Sequence, residues 1–225
     1  MNEFGIDESW INAGLNLDLI RDVMAIVAEK RKNKEILPKQ EDILNALKLC
    51  PFEKVKVLII GQDPYPSAEH AHGLAFSSLS KNTPASLKNI FKKLESDFGC
   101  KHNSNLLIPW EKQGVLLLNT ALTFEGKDTK LLKEHTQLWA PVIENIYTIL
   151  RERGNLIVMR WGSHAQGVKF GGRGKWELFN WNGKNITVLD TTHPSPLSAN
   201  RGFMTSDHFR KCNEILGKDA INWST

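Results

Sequence analysis

The chain has 225 residues, 41% apolar and 24% charged, which is enough for one globular domain with a sizeable core and too apolar for a disordered tail. No stretch approaches the roughly 20 unbroken apolar residues of a membrane span, and Met1 to Trp10 carries acidic but no basic residues, unlike a secretory leader or transit peptide. A cytoplasmic protein, not bound to membrane, is therefore expected. Net charge is +4 with a pI near 8.9, compatible with nucleic acid binding but not diagnostic of it. From Arg151 onward there are eleven basic and six acidic residues, so the whole surplus lies in the last third, around Arg160, Arg201, Arg210 and Lys211. Cys50, Cys100 and Cys212 are far apart and form no C-x-x-C pair, which argues against a disulfide framework, a zinc site or an iron–sulfur cluster. They read as small buried apolar residues.

In chain order, Leu15, Leu17, Leu19, Ile20, Val23, Met24 and Val27 recur at helical spacing, and Ile36-Leu37-Pro38 reads as a break. Ile43, Leu44, Leu47 and Leu49 predict a short helix ended near Pro51. Val55 to Ile60 is the first strand, closed by Gly61, and Val115 to Leu118, Leu156 to Met159 and Ile186 to Leu189 are similar. Such short, continuous apolar runs fit strands covered on both faces of a parallel sheet. Amphipathic helices are predicted over Ser86 to Leu94 and Leu138 to Leu150, and the glycine-rich stretch Phe170 to Lys175 reads as a surface connection. The alternation predicts a three-layer α/β fold, in a single domain over 1–225.

Ligands of open α/β sheets bind beyond the carboxyl ends of the strands. After the four runs come Gly61-Gln62-Asp63-Pro64-Tyr65, Asn119-Thr120, Arg160-Trp161-Gly162-Ser163-His164 and Asp190-Thr191-Thr192-His193-Pro194-Ser195-Pro196-Leu197-Ser198. One carboxylate, one carboxamide, one imidazole and several hydroxyls thus gather on one rim, with no phosphate-cradling glycine motif. That inventory favours hydrolysis or recognition over nucleotide-cofactor chemistry.

At these residues the chain resembles the family 1 uracil-DNA glycosylases. The blocks are Val55 to Tyr65, Ala71-His72-Gly73-Leu74-Ala75-Phe76-Ser77, Leu116 to Thr120, Trp161-Gly162-Ser163 and His193 to Ser198, in family order and approximate spacing, so the match spans about Leu37 to Phe209. The resemblance implies an α/β/α fold with a central four-stranded parallel sheet, no metal, no cofactor and excision of uracil from single- or double-stranded DNA. It also implies a monomer, with a DNA-mimicking inhibitor protein as a conceivable partner.

Breaking an N-glycosidic bond develops positive charge on the sugar and negative charge on the departing base, so the chemistry calls for a carboxylate near one and hydrogen-bond donors near the other. By resemblance Asp63 takes the first role and orients the attacking water, while His193 and the Gln62 backbone N–H donate to uracil O2. Asn119 can donate to uracil O4 and accept from N3–H, a polarity that cytosine does not match. Phe76 corresponds to the stacking platform, and Tyr65 to the ring that excludes thymine's methyl group. Ser86, Ser163 and Ser195 correspond to hydroxyls that grip DNA phosphates, and Leu197 to a wedge that fills the gap left by a flipped nucleotide.

Taken singly, these residues fit ordinary turn, cap or core roles; the five blocks together carry the reading. Two features depart from the family. Pro66 stands where a His that helps hold the catalytic water is common, and Phe124 to His135 differs from the usual Arg- and Ser-His-containing continuation. His70 and His72 have no evident third partner for a metal. A non-catalytic DNA-binding or replication-accessory protein on the same fold is the alternative, but it would be expected to lack Asp63, Asn119 or His193, and all three are present.

Overall fold

In the computed structural model, which describes residues 2–126, 129–170 and 176–225, the chain opens with two capped helices. Asp7 caps α1 (Glu8–Asn12), and Asn16 caps α2 (Leu17–Arg31) by accepting from the Asp18 N–H at 2.9 Å. Ile20, Val23 and Val27 form the buried stripe of α2, and Lys30 and Arg31 lie in its last turn, where the helix dipole favours cations. The expected break is in fact β1 (Ile36–Leu37), and α3 (Asn45–Leu49) follows as the predicted short helix.

The first central strand, β2 (Val57–Gly61), starts two residues later than expected: Val55 closes the preceding 3-10 turn, and Lys56 leads into the strand through hydrogen bonds to Gly114 O and from Ile157 N–H. Next come α4 (Ala85–Phe98), α5 (Ile108–Glu111), β3 (Val115–Asn119) and β4 (Phe124–Glu125). Leu87, Ile90 and Leu94 bury one face of α4, and Gly99 ends it in the left-handed conformation at φ 68°. Phe124 and Glu125, within the stretch that departs from the family, pair antiparallel with β1.

Helix α6 (Thr129–Arg153) begins nine residues earlier than the apolar pattern suggested. Its first turns carry Lys130, Lys133, Glu134 and Gln137 beside only two leucines, so the apolar periodicity did not reveal them. β5 (Leu156–Trp161), α7 (Ser163–Gln166), β6 (Trp176–Trp181), β7 (Lys184–Thr191) and α8 (His208–Leu216) complete the chain. Phe170, expected in a surface connection, is instead buried edge-on against Tyr147. Residues 171–175 of that connection lie outside the described residues.

The sheet runs β3-β2-β5-β7-β6. Its first four strands are parallel, as expected, and β6 adds an antiparallel edge that the sequence reading missed. Every residue of β2, β3 and β5 is buried, and one continuous apolar core extends from Ile6 to Trp223. Helices α3 and α5 pack on β3, α7 on β5 and α6 on β7. Cys50 and Cys212 are buried as anticipated, whereas Cys100 is only half-buried. Among the described residues no helix is long and apolar enough to cross a membrane.

Parallel register is what aligns the strand ends. Gly61 lies opposite Asn119, Ile60 opposite Arg160, and Trp161 opposite Thr191, so the four polar exits share one edge.

Candidate active site

Gln62, Asp63, Tyr65, Phe76, Ser86, Asn119 and His193 line one cavity of about 220 Å³, together with Pro66, His72 and Gly73. Close packing at two glycines makes this possible. A Cβ on Gly61 would lie 2.0 Å from Asn119 Oδ1, so only glycine lets the carboxamide lie across the end of β2. At Gly162, with φ 87°, a Cβ would stand 2.8 Å from His193 Cβ, so that glycine admits the loop after β7.

The aromatic wall is built by an unusual backbone. Phe76 has φ 63°, in the left-handed region that bulky side chains rarely enter, and its carbonyl accepts the Tyr65 hydroxyl at 3.0 Å. Its ring lies 5.3 Å from Trp161 and 5.8 Å from His193. Ala75 N–H donates to Leu117 O at 3.1 Å, tying this segment to the outer edge of β3. His72 Nε2 meets Ser77 Oγ at 2.7 Å and His70 Nδ1 meets Ser78 Oγ at 2.8 Å, so the two histidines brace neighbouring turns.

Burial raises the Asp63 carboxyl to about 6, which places its ionisation just below neutrality. The same cause pushes the Tyr65 phenol up. Burial, and after it the neighbouring His164, lower His193, which favours the neutral ring. The Ser195 N–H donates to His193 Nδ1 at 3.0 Å, so that nitrogen carries no proton and Nε2 is the N–H donor. Gly61 O accepts from Thr120 N at 3.1 Å on the β3 side. Because the peptide is trans, the Gln62 N–H points the other way, toward the side from which His193 enters.

Ser163, Ser195 and Leu197 do not line the cavity but flank it. Ser163 is exposed at the start of α7. Ser195 Oγ sits 3.1 Å from Ser198 Oγ, and Ser198 Oγ donates to His193 O at 2.8 Å, which holds the loop in shape. Leu197 is 85% exposed, the most exposed of the large apolar side chains among the described residues.

For Arg160 the structure corrects the expectation of a surface positive charge. Arg160 is buried in a two-point pair with Asp190, both contacts at 2.7 Å, and locks the ends of β5 and β7 together. Arg210 pairs with Asp97, Lys211 with Glu214, and Arg151 with Glu144. Arg151 and Arg160 therefore serve the scaffold, whereas Arg201 and Arg210 remain exposed. Net charge along a chain cannot separate buried pairs from surface cations.

The parallel strands of this α/β sheet thus end in a half-buried carboxylate, a carboxamide and an imidazole held toward its neutral form around one small cavity, groups able to hydrogen-bond a heterocyclic base and to assist hydrolysis beside it. The profile of the Uracil DNA glycosylase superfamily matches residues 47–217. The chain is 42% identical over 212 residues to the uracil-DNA glycosylase of Clostridioides difficile strain 630, covering 92% of this chain and 90% of that one. It is 40% identical to uracil-DNA glycosylase 2 of Bacteroides fragilis strain YCH46, covering 97% and 98%. The crystal structure of mimivirus uracil-DNA glycosylase superposes with a TM-score of 0.74 at 24% identity, over 99% of this chain and 98% of that one. A mimivirus variant in complex with UGI superposes at 0.82 and 23% identity, over 100% and 91%; these two likenesses concern the fold. The chain belongs to the uracil DNA glycosylase superfamily.

Proposed function

We propose that this chain, acting as a single 1–225 domain, is a uracil-DNA glycosylase that hydrolyses the bond between uracil and deoxyribose and leaves an abasic site. The convergence of Asp63, Asn119 and His193 from three strand ends on one cavity carries the reading. Family membership and relatives near 40% identity over most of the chain support it.

Asp63, ionised above about pH 6, orients the attacking water and stabilises the cationic sugar. His193 Nε2–H and the Gln62 N–H face the oxygen on which the departing uracil gathers negative charge. A neutral imidazole suffices, because its role is to donate a hydrogen bond and not to surrender a proton. Asn119 reads O4 and N3–H, Phe76 stacks on the base, and Tyr65 crowds C5. The nucleotide reaches this cavity by flipping out of the helix, at a cost of a few kcal/mol. Ser86, Ser163 and Ser195 grip the phosphates on either side, and Leu197 occupies the vacated space.

The test uses oligonucleotides carrying a single U, T or C, followed by alkaline cleavage at abasic sites. The wild-type protein is expected to release uracil alone and to leave the backbone intact until alkali is added. DNA binding without uracil release would overturn the enzyme reading in favour of a non-catalytic DNA-binding protein.

A further inference from the structure

Three hydrogen bonds converge on the backbone of Gly61 and Gln62 from the end of β3. Thr120 N–H donates to Gly61 O at 3.1 Å, Ala121 N–H donates to Gln62 O at 3.0 Å, and Thr120 Oγ1 lies 3.0 Å from Gln62 O. The same Thr120 Oγ1 is 2.7 Å from His164 Nε2, which arrives from the end of β5. Neither Thr120 nor His164 lines the cavity of the candidate active site.

A threonine hydroxyl has one proton and can donate only once. If it donates to His164, Gln62 O keeps Ala121 as its one donor in this group. If instead His164 carries its proton on Nε2 and donates to Thr120, the threonine proton goes to Gln62 O. Both lone pairs of that carbonyl are then used, and the group makes one more hydrogen bond. The second arrangement also survives protonation of His164, because an imidazolium is a donor at both nitrogens.

The Gln62 carbonyl belongs to the peptide whose other end is the Asp63 N–H. Fixing its plane fixes the Cα from which the Asp63 carboxylate projects. We propose that His164, acting through Thr120, is a positioning residue that holds the Gln62–Asp63 peptide in its catalytic orientation. The inference rests on the uracil-excision reading above. His164 is exposed as a residue while its Nε2 edge turns inward on Thr120.

The experiment measures kcat, KM and the melting temperature of full-length His164→Ala, His164→Gln, Thr120→Val and Thr120→Ser proteins on a uracil-containing oligonucleotide. Loss of one positioning hydrogen bond is expected to lower kcat by about 3- to 10-fold in His164→Ala and Thr120→Val. KM should stay within about twofold, since neither side chain contributes to the cavity wall. His164→Gln, which retains an N–H donor, and Thr120→Ser, which retains the hydroxyl, should recover most of that loss. The double variant His164→Ala/Thr120→Val should be no slower than Thr120→Val alone, because both break one chain of bonds. Unchanged kcat in His164→Ala, a rise in KM alone, or no recovery by His164→Gln would each overturn the proposal. If Thr120→Val does not fold, the exposed His164 pair decides the matter. An inactive wild-type protein would instead reject the uracil-excision reading itself.

Discussion

Asp63 is expected to make this protein less stable in order to make it active, and Asp63→Asn should expose the trade. Burial lifts its carboxyl from an ordinary value near 3.8 to about 6, so the charged form is disfavoured in the folded chain. Below pH 3.8 the group is neutral in both folded and unfolded chains and contributes no difference. Between 3.8 and 6 only the unfolded chain ionises, so the wild-type protein loses stability as pH rises. Above 6 the loss is complete. At 1.36 kcal/mol per pH unit the full effect is about 3 kcal/mol, an upper figure because Asp63 keeps some solvent contact. For a chain of this size each kcal/mol moves the melting temperature by about 2–4 °C, so Asp63→Asn should melt up to about 6–12 °C higher at pH 8. The gain should shrink through pH 6 and vanish near pH 4. In the same preparation uracil release should fall about 10²- to 10⁴-fold, and wild-type kcat should rise with pH up to about 6 and then level. Differential scanning fluorimetry across pH 4–8 reads the stability arm. An Asp63→Asn protein no more stable than wild type at pH 8, or equally stabilised at pH 4 and pH 8, would refute the desolvation argument.

Asn119→Asp replaces the amide proposed to read uracil O4 and N3–H, so free cytosine should appear among the products from C-containing oligonucleotides; chromatographic absence of cytosine would remove the polarity argument for base choice. Gly162→Ala places a Cβ 2.8 Å from His193 Cβ at a φ of 87°, and the strain should cost about 1–3 kcal/mol in denaturant unfolding while reducing kcat. Pro66 lies on the cavity wall and supplies neither an imidazole nor an N–H. Pro66→His should therefore change the rate or the pH profile of uracil release, and identical profiles would show that water placement here is independent of that position.

The four parallel strands were legible because short, fully apolar runs have few other places to go than the middle of a two-sided sheet. Strand β6 was not, since the sequence from Trp176 to Trp181 is neither a continuous apolar run nor a strict alternation, the two patterns by which strands are read. The strands β1 and β4 are two residues each and exist through their mutual pairing. Glu111 shows the same limit. It is fully buried, its carboxylate accepts the Leu117 N–H at 2.7 Å on the outer edge of β3, and burial raises its pKa well above the usual range. As a residue in the sequence Trp-Glu-Lys it looks like an ordinary surface glutamate.

The candidate site was legible for a different reason. Residues immediately after parallel strands are bound to share one rim, so Gln62, Asp63, Tyr65, Asn119 and His193 could be expected together before their distances were known, whereas Phe76 and Ser86 were named only through the motif resemblance. Linear order determined which chemical groups reach that rim and, through the five motif blocks, which family they belong to. Only the folded chain decided how those groups are tuned and held. Asp63 rises to about 6 because of what surrounds it, His193 presents Nε2–H because Ser195 occupies Nδ1, and Thr120 meets His164 across the end of β2. It also decided that Arg160 neutralises Asp190 inside the protein. Burial, tautomer and pairing depend on three-dimensional neighbours brought from distant parts of the chain, and a linear pattern carries residue types without those neighbours.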